Sequence, residues 1–339
     1  MNSTSIAPYG PASSRSAPGQ HASAWTALAA AAASCHPHAP WKRLRMLLRS
    51  WFWRQETEAW LSFLQRGEYL PCLIRQRARL IEKLHRPYLR RDLGVRERLQ
   101  CLIEHYLLVQ RVFSLSDLRR LHFVGGHCLA ACADRTGAQH ELRLSAAERC
   151  EGEGEMRLGW YRHDAPEALA QLSFSLMLGD DGPLIYVGGL QGMRGGDARE
   201  RVRQATRDCD GLQPRMAVAL GLMAFGEALG VSAIHAVADG CHVSRSLLPG
   251  RRLRASHDRF WTRLGAVRNA AGDHVWSAAR PPRAPEHVQS SRCAARRRRQ
   301  LRVAQLTQAI GASLQLLLRQ GPHGRLCQAG PARRAGSWA

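Results

Sequence analysis

The sequence predicts an α+β protein: a mixed, mainly antiparallel sheet flanked by helices, with an N-terminal helical region and a basic C-terminal helix. Three observations carry that expectation. Apolar residues recur at helical spacing over residues 41–121, and from Phe123 the period shortens to the alternation of strands. Over residues 172–242 the two patterns meet in one unit of strand, turn, strand, glycine-rich stretch, two helices and strand.

Residues 1–40 are rich in Ser, Ala, Pro and Gly and read as a disordered leader. The Ala-rich run at 25–35 is short and lacks a preceding basic cluster, so no export signal is assigned. The helical region, 41–121, opens with a helix over 41–64. There Trp41, Leu44, Leu47, Leu48 and Trp51 share a face, with Lys42, Arg43, Arg45 and Arg49 on others. Such a helix either packs on the core or makes peripheral membrane contact through Trp41 to Trp60. Further helices are expected over 71–84 and 95–112, with a polar break at 88–92 between them, and 117–121 closes the region.

The α/β core domain is placed at 122–280. Short alternating runs at 127–133, 140–144 and 156–161 predict antiparallel strands. Strands at 172–178 and 184–187 flank a turn marked by Gly179, Asp180, Asp181, Gly182 and Pro183. A glycine-rich loop follows at 188–196. Asp197 with Glu200 then reads as a capping box for a helix carrying Ala198, Val202, Ala205 and Cys209 on one face. Pro214 suits a first helical turn, Gly230 a left-handed helix end, and 231–238 the next strand. A polar loop with Asp239 and His242 comes next, then an apolar patch from Phe260 to Ala266, and Val275 and Trp276 form a last short strand. Pro281, Pro282 and Pro285 begin a segment, 281–320, that ends in a helix over 292–320, with 321–339 as a tail. That helix opens on Arg296 to Arg299, a basic run that opposes the helix dipole and so reads as a solvated or partner-binding face.

A chain of 339 residues with 45% apolar content can bury one large core or two modest ones. Its net charge of +22 makes polyanions the natural partners: nucleic acid, anionic lipid or a phosphate-bearing cofactor. Nearly all the positive charge is Arg, which a compositional bias alone would also produce. The 10 cysteines are scattered without a CxxC pair, so neither zinc nor a disulfide framework is implied and a reduced, cytoplasmic setting follows. Cys128 and Cys132, near His122 and His127, read as small buried hydrophobes, and no metal site is assigned. The apolar span 216–238 holds Glu227, three glycines and His235, so it is read as a buried helix entering a strand, and no transmembrane segment is expected.

Several segments resemble the bacterial VirK/YbjX family: HRPYLRRDLGVRERLQCLIEHY (85–106), GEGEMRLGWY (152–161), LSFSLML (172–178), IYVGGLQG (185–192), the stretch 201–237 with its GLQP, HV at 242–243, FWTRLGA (260–266) and the Arg-rich segment near 296. The resemblance covers about 41–320 in the family's order. It implies an accessory role in virulence, antimicrobial-peptide resistance, envelope remodelling or stress and DNA-damage responses, with no assigned reaction. Two departures are His257, Asp258 and Arg259 before Phe260, where the family has a Tyr-Asp context, and an Arg-rich rather than Lys-rich C-terminal segment.

The order of elements over 172–266 is also similar to the acetyltransferase fold of the GNAT superfamily, whose acyl-CoA pyrophosphate binds the loop after the corresponding strand. That likeness implies acyl-CoA as cofactor, with Gly188, Gly189, Gln191, Gly192 and Arg194 as binding residues. Glycines let backbone amides approach a phosphate, and a helix N-terminus attracts it; the other reading is a tight connection that needs glycine for backbone reasons. Gln-Gly-Met-Arg-Gly-Gly departs from that superfamily's pattern at Arg194, where glycine is expected, and an extra helix-turn-helix falls at Gly211. If the site is catalytic, Asp239 and His242, just past a strand end, are the proton-transfer groups. His235 lies inside the apolar run and suits that role less, and Cys241 has no partner that sequence alone can place. Three function classes therefore stand: an accessory factor acting by binding, a CoA-dependent N-acyltransferase, and a nucleic-acid or other polyanion binder.

Overall fold

The computed structural model describes residues 18–148, 151–244, 257–276, 293–322 and 326. Its eight strands form one sheet: β1 (His127–Ala133), β2 (Gln139–Ala146), β3 (Met156–Arg162), β4 (Ala170–Gly179), β5 (Gly182–Gly192), β6 (Ala233–Ala236), β7 (Val267–Arg268) and β8 (His274–Trp276). The strand order is β1-β2-β3-β4-β5-β6-β8-β7. Every neighbouring pair is antiparallel except β5 and β6, so the sheet is mixed and mainly antiparallel, as the sequence predicts. Only Asp180 and Asp181 separate β4 from β5, and Gly179 pairs with Gly182 across the turn.

Before the sheet come helices α1 (Pro18–Cys35), α2 (Pro40–Phe52), α3 (Arg54–Leu64), α4 (Tyr69–Gln76), α5 (Arg79–Glu82), α6 (Val95–Val112) and α7 (Leu115–Phe123). The parallel β5–β6 crossover holds α8 (Ala198–Asp208) and α9 (Pro214–Leu229), and α10 (His257–Arg263) and α11 (Cys293–Arg319) follow. Helix α9 is apolar nearly all round and therefore sits inside, against the sheet on one side and α11 on the other. Phe225 meets Phe174 of β4 edge-on at 5.6 Å and stacks on Phe113 at 6.4 Å. Gly230 closes α9 in the left-handed conformation, and Pro214 opens it, as expected.

Helices meet part of the sheet's unpaired backbone. Strand β3 pairs β4 only as far as Phe174, and beyond it α6 takes over: the Leu176 amide donates to His105 Nδ1 at 3.1 Å and the Leu178 amide to Glu104 Oε2 at 2.9 Å. At the other end α11 lies along β1, where Arg302 donates to the Ala133 carbonyl and pairs with Asp210 at 2.7 Å. Part of the C-terminal basic face is thus spent on the fold, since Arg298 also approaches Asp210.

Four local expectations need correction. The helix expected over 41–64 breaks at Trp53 (φ −108°, ψ 52°), which turns α3 so that Trp60, Leu61, Phe63 and Leu64 are buried, while α2 buries Met46 and Ser50 and leaves Trp41, Leu44, Leu48 and Trp51 outside. The helix expected over 71–84 breaks at Arg77 and ends in a 3-10 turn, Lys83–His85. Helix α1 occupies part of the stretch read as leader, with Leu28 and Ala32 buried. The loop expected over 188–196 is strand as far as Gly192, because β4 continues to pair with it.

Candidate functional site

The parallel ladder joins Leu184–Val187 of β5 to Ala233–Ala236 of β6, and the Val237 amide closes it on the Val187 carbonyl at 2.9 Å. There β6 ends and the chain turns into a 3-10 segment, Asp239–Cys241, whereas β5 runs on to Gly192 with β4 alone beside it. The register shifts where Gly188 is inserted, between the Ser173–Gly189 and Phe174–Val187 pairs, and such a bulge re-aims a strand. The two parallel strands therefore part company at Val187, and polar side chains gather in the angle between them.

Glu153 lies across β5 at this point. A Cβ on Gly188 would overlap the Glu153 carbonyl, and one on Gly189 its carboxylate, so these two glycines make room for a protein side chain. Glu153 Oε1 accepts from Gln191 Nε2 at 2.7 Å and stands 3.5 Å from His242 Nε2. The Ser244 amide donates to His242 Nδ1 at 3.2 Å, which assigns the ring proton to Nε2, facing the carboxylate. Burial, reinforced by the charge of His257, lowers the His242 pKa to about 4, so the ring is neutral at neutral pH.

His257 fills the angle itself. Its ring meets His242 edge-on at 5.4 Å, and a hydrogen bond links it to the Leu190 backbone. Asp239 Oδ1 accepts from the His257 amide at 2.9 Å and lies 3.9 Å from its Nδ1. Gln191, Glu153, His242, His257 and Asp239 thus form one connected polar chain. Asp258 braces it from behind, accepting from the Asp239 amide at 2.9 Å and lying 3.0 Å from His274 Nε2.

The 86–92 segment positions Glu153 and His242. Leu89 is held at φ 55°, a conformation costly for a branched side chain, and its amide donates to the Gly152 carbonyl at 2.7 Å. Arg90 pairs with Asp273 at 2.7 Å, and Asp273 also accepts from the Tyr186 hydroxyl at 2.7 Å. Arg90 forms a β-bridge with His242, so one short segment grips both partners.

Beyond Gly192 the chain leaves the sheet for α8. Asp197 precedes α8 but makes no side-chain cap, so the expected capping box does not form. Gly195 has φ 117°, and the space around Gly196 is open. Arg194 is exposed and donates to Gln191 Oε1 at 2.8 Å. Near Gly192 stands Arg215, at the start of α9, half-buried and without a hydrogen-bond or ion-pair partner among the described residues; burial lowers its pKa.

The structure therefore brings Asp239 and His242 together through His257, sets Gln191 on Glu153, and places Gly188 and Gly189 beneath it. Sequence reasoning missed Glu153, His257 and Arg215. Glu153 carries one signal, its place between Gly152 and Gly154; the others are isolated residues on helices. Cys128 and Cys132 do not combine with His122 and His127, and no group of three or more potential metal ligands occurs among the described residues.

Comparison with known proteins adds the family level. The model of the family described as Protein of unknown function (DUF535) matches residues 36–312. The chain is 28% identical over 250 residues to the Uncharacterized protein YbjX of Escherichia coli (strain K12), covering 72% of this chain and 76% of that protein. No solved structure matches it.

Proposed function

We propose that this chain, which belongs to the DUF535 family of proteins of unknown function, is a CoA-dependent N-acyltransferase whose site is the angle between β5 and β6. One observation carries the reading: the parallel ladder stops at Val187 and Ala236, and the buried Glu153–His242 pair stands where the strands separate. The likeness to the GNAT order of elements supports it.

The residues present fit an anionic cofactor. Half-buried Arg215 lacks a counter-ion among the described residues, and the 193–197 loop leads with two glycines into a helix that no side chain caps. Arg194, Gly195, Gly196 and Arg215 would hold the phosphates, while Gly192 leaves space beside the guanidinium. Bound there, an acyl thioester would supply an activated acyl carbon. The Glu153–His242 pair takes up the proton that an amine loses on acylation, and His257 and Asp239 fix the orientation of the His242 ring. Gly188, Gly189 and Gln191 serve by seating Glu153.

A second observation favours contact with an anionic membrane surface. Trp41, Leu44, Leu48, Trp51 and Phe52 of α2 are all exposed, between 57% and 74%, on a helix that also carries Lys42, Arg45 and Arg49. No helix among the described residues is long and apolar enough to cross a membrane. Placement at the cytoplasmic surface would give the enzyme access to an envelope component, in keeping with the roles in virulence, envelope remodelling, antimicrobial-peptide resistance and stress that the VirK/YbjX resemblance implies.

Release of free thiol from acetyl-CoA, followed across a panel of amines, tests the proposal. Turnover should fall about 10²–10⁴-fold in Glu153→Gln, the scale of a lost proton-transfer group. Thiol release that survives Glu153→Gln and His242→Ala unchanged would place the chemistry elsewhere.

A further inference from the structure

On the sheet face opposite α9, side chains of β2 to β5 form a cross-strand row, of which only Gln191 has a part in the acyltransfer site. Arg157 Nη2 lies 3.2 Å from Ser145 Oγ and its Nη1 3.4 Å from Gln171 Oε1. Gln171 Nε2 reaches Gln191 Oε1 at 3.5 Å, and Gln191 bonds Glu153. The row floors a groove of about 320 Å³ that Arg143, Tyr161 and Arg194 also line.

Glu148, which pairs with Arg77, and exposed Glu167 stand among the lining residues, so the unbalanced charge is confined to the floor of the groove, at Arg157. Arg143 is paired with Glu141 and lies over the Tyr161 ring at 5.1 Å. Arg157 and Arg194 have only neutral hydrogen-bond partners, and no carboxylate lies within ion-pair distance of either among the described residues. The contacts of Arg157 sit near the long limit for hydrogen bonds, so a half-buried guanidinium keeps most of its donor capacity unused. A guanidinium fork with unused donors suits an anion with several oxygens.

We propose that this groove binds the acyl acceptor through a phosphate group held by Arg157. From β3 to β5 is two strand spacings, roughly 10 Å, so a small phosphorylated molecule anchored at Arg157 reaches Glu153 with its other end. The assignment of the molecule as acceptor rests on the acyltransfer reading; the anion site does not.

Calorimetric titration of the full chain with glycerol phosphate and, separately, with CoA tests both. Glycerol phosphate should bind, glycerol should not, and Arg157→Gln should weaken the phosphate at least tenfold while leaving CoA affinity unchanged. Arg157→Lys should keep part of the affinity, which guards against a folding defect in the first variant. Absence of glycerol phosphate binding, or equal weakening by Arg157→Gln and by the exposed control Arg199→Gln, would overturn the proposal. Phosphate binding with no CoA binding would leave the groove standing and remove the acyltransfer reading instead.

Discussion

His242 Nε2 faces Glu153 Oε1 at 3.5 Å, with side-chain exposures of 3% and 9%. A neutral imidazole beside a carboxylate inside a protein is a costly arrangement that the surroundings must hold in place. Here the Ser244 amide fixes the ring tautomer, Gln191 holds the carboxylate, and strained Leu89 anchors the adjoining Gly152.

Adding one methyl on β5 should separate site from scaffold. In Gly189→Ala the new Cβ overlaps the Glu153 carboxylate, which can swing away, so the expected cost is about 1 kcal/mol of stability with loss of activity. In Gly188→Ala it meets the Glu153 backbone, which cannot, and about 3 kcal/mol is expected. Urea denaturation of both variants checks the order; equal costs would argue against the close approach.

The helical layer is fastened to the sheet by a second buried pair. Lys83 Nζ lies 2.6 Å from Glu155 Oε1, the Tyr106 hydroxyl donates to Glu155 Oε2 at 2.7 Å, and Lys83 sits 5.4 Å from the centre of the Tyr88 ring. Lys83→Met leaves a buried carboxylate without its cation, so about 3–5 kcal/mol should be lost. Lys83→Met with Glu155→Gln should recover a large part of it, and a double-mutant cycle in denaturant measures the coupling.

Acid should destabilise the fold before its carboxylates titrate. Burial lowers His85, with Arg49 and Arg98 adding to it, to about 4; it lowers His105 and His242 to about 4 and His122 to about 3. Between these values and the unfolded histidine pKa of about 6.5, the unfolded chain binds protons that the folded one refuses. Stability from these groups is therefore complete above about pH 6.5 and declines as pH falls toward 4, each histidine contributing up to roughly 1.4 kcal/mol per pH unit. Unfolding midpoints measured from pH 7.5 down to 4.5 should fall steadily, and a flat profile would contradict the burial of these rings.

Much of the fold was legible in the sequence because its signals are local. Alternation in β1 to β4, Pro214, Gly230 and the Asp180–Asp181 turn each report on their own few residues. The site was legible only in part. Asp239 and His242 stand out after a strand, but Glu153 and His257 lie 89 and 15 residues from His242 in the chain, distances across which no periodicity runs. Gly188 and Gly189 misled for the same reason: glycine signals close approach without saying of what, and here the neighbour is Glu153. The 41–64 pattern failed at Trp53, where packing of Trp60 overrode a continuous helical period.

Helix α2 should carry any membrane affinity. Leu44→Glu with Leu48→Glu alters two exposed side chains, so stability should change by less than about 0.5 kcal/mol. Flotation with phosphatidylglycerol vesicles should be lost in that variant and weak for the wild type with neutral vesicles. Retained flotation, or a wild-type dimer that the double variant dissolves, would reassign the stripe to another partner.

Calorimetric titration of CoA into the wild type and Arg215→Ala is the most direct measurement of the site. Saturable one-to-one binding is expected, weakened at least tenfold by Arg215→Ala, with amides 193–197 gaining protection from exchange in the wild type. No heat of binding and unchanged exchange at 193–197 would contradict it.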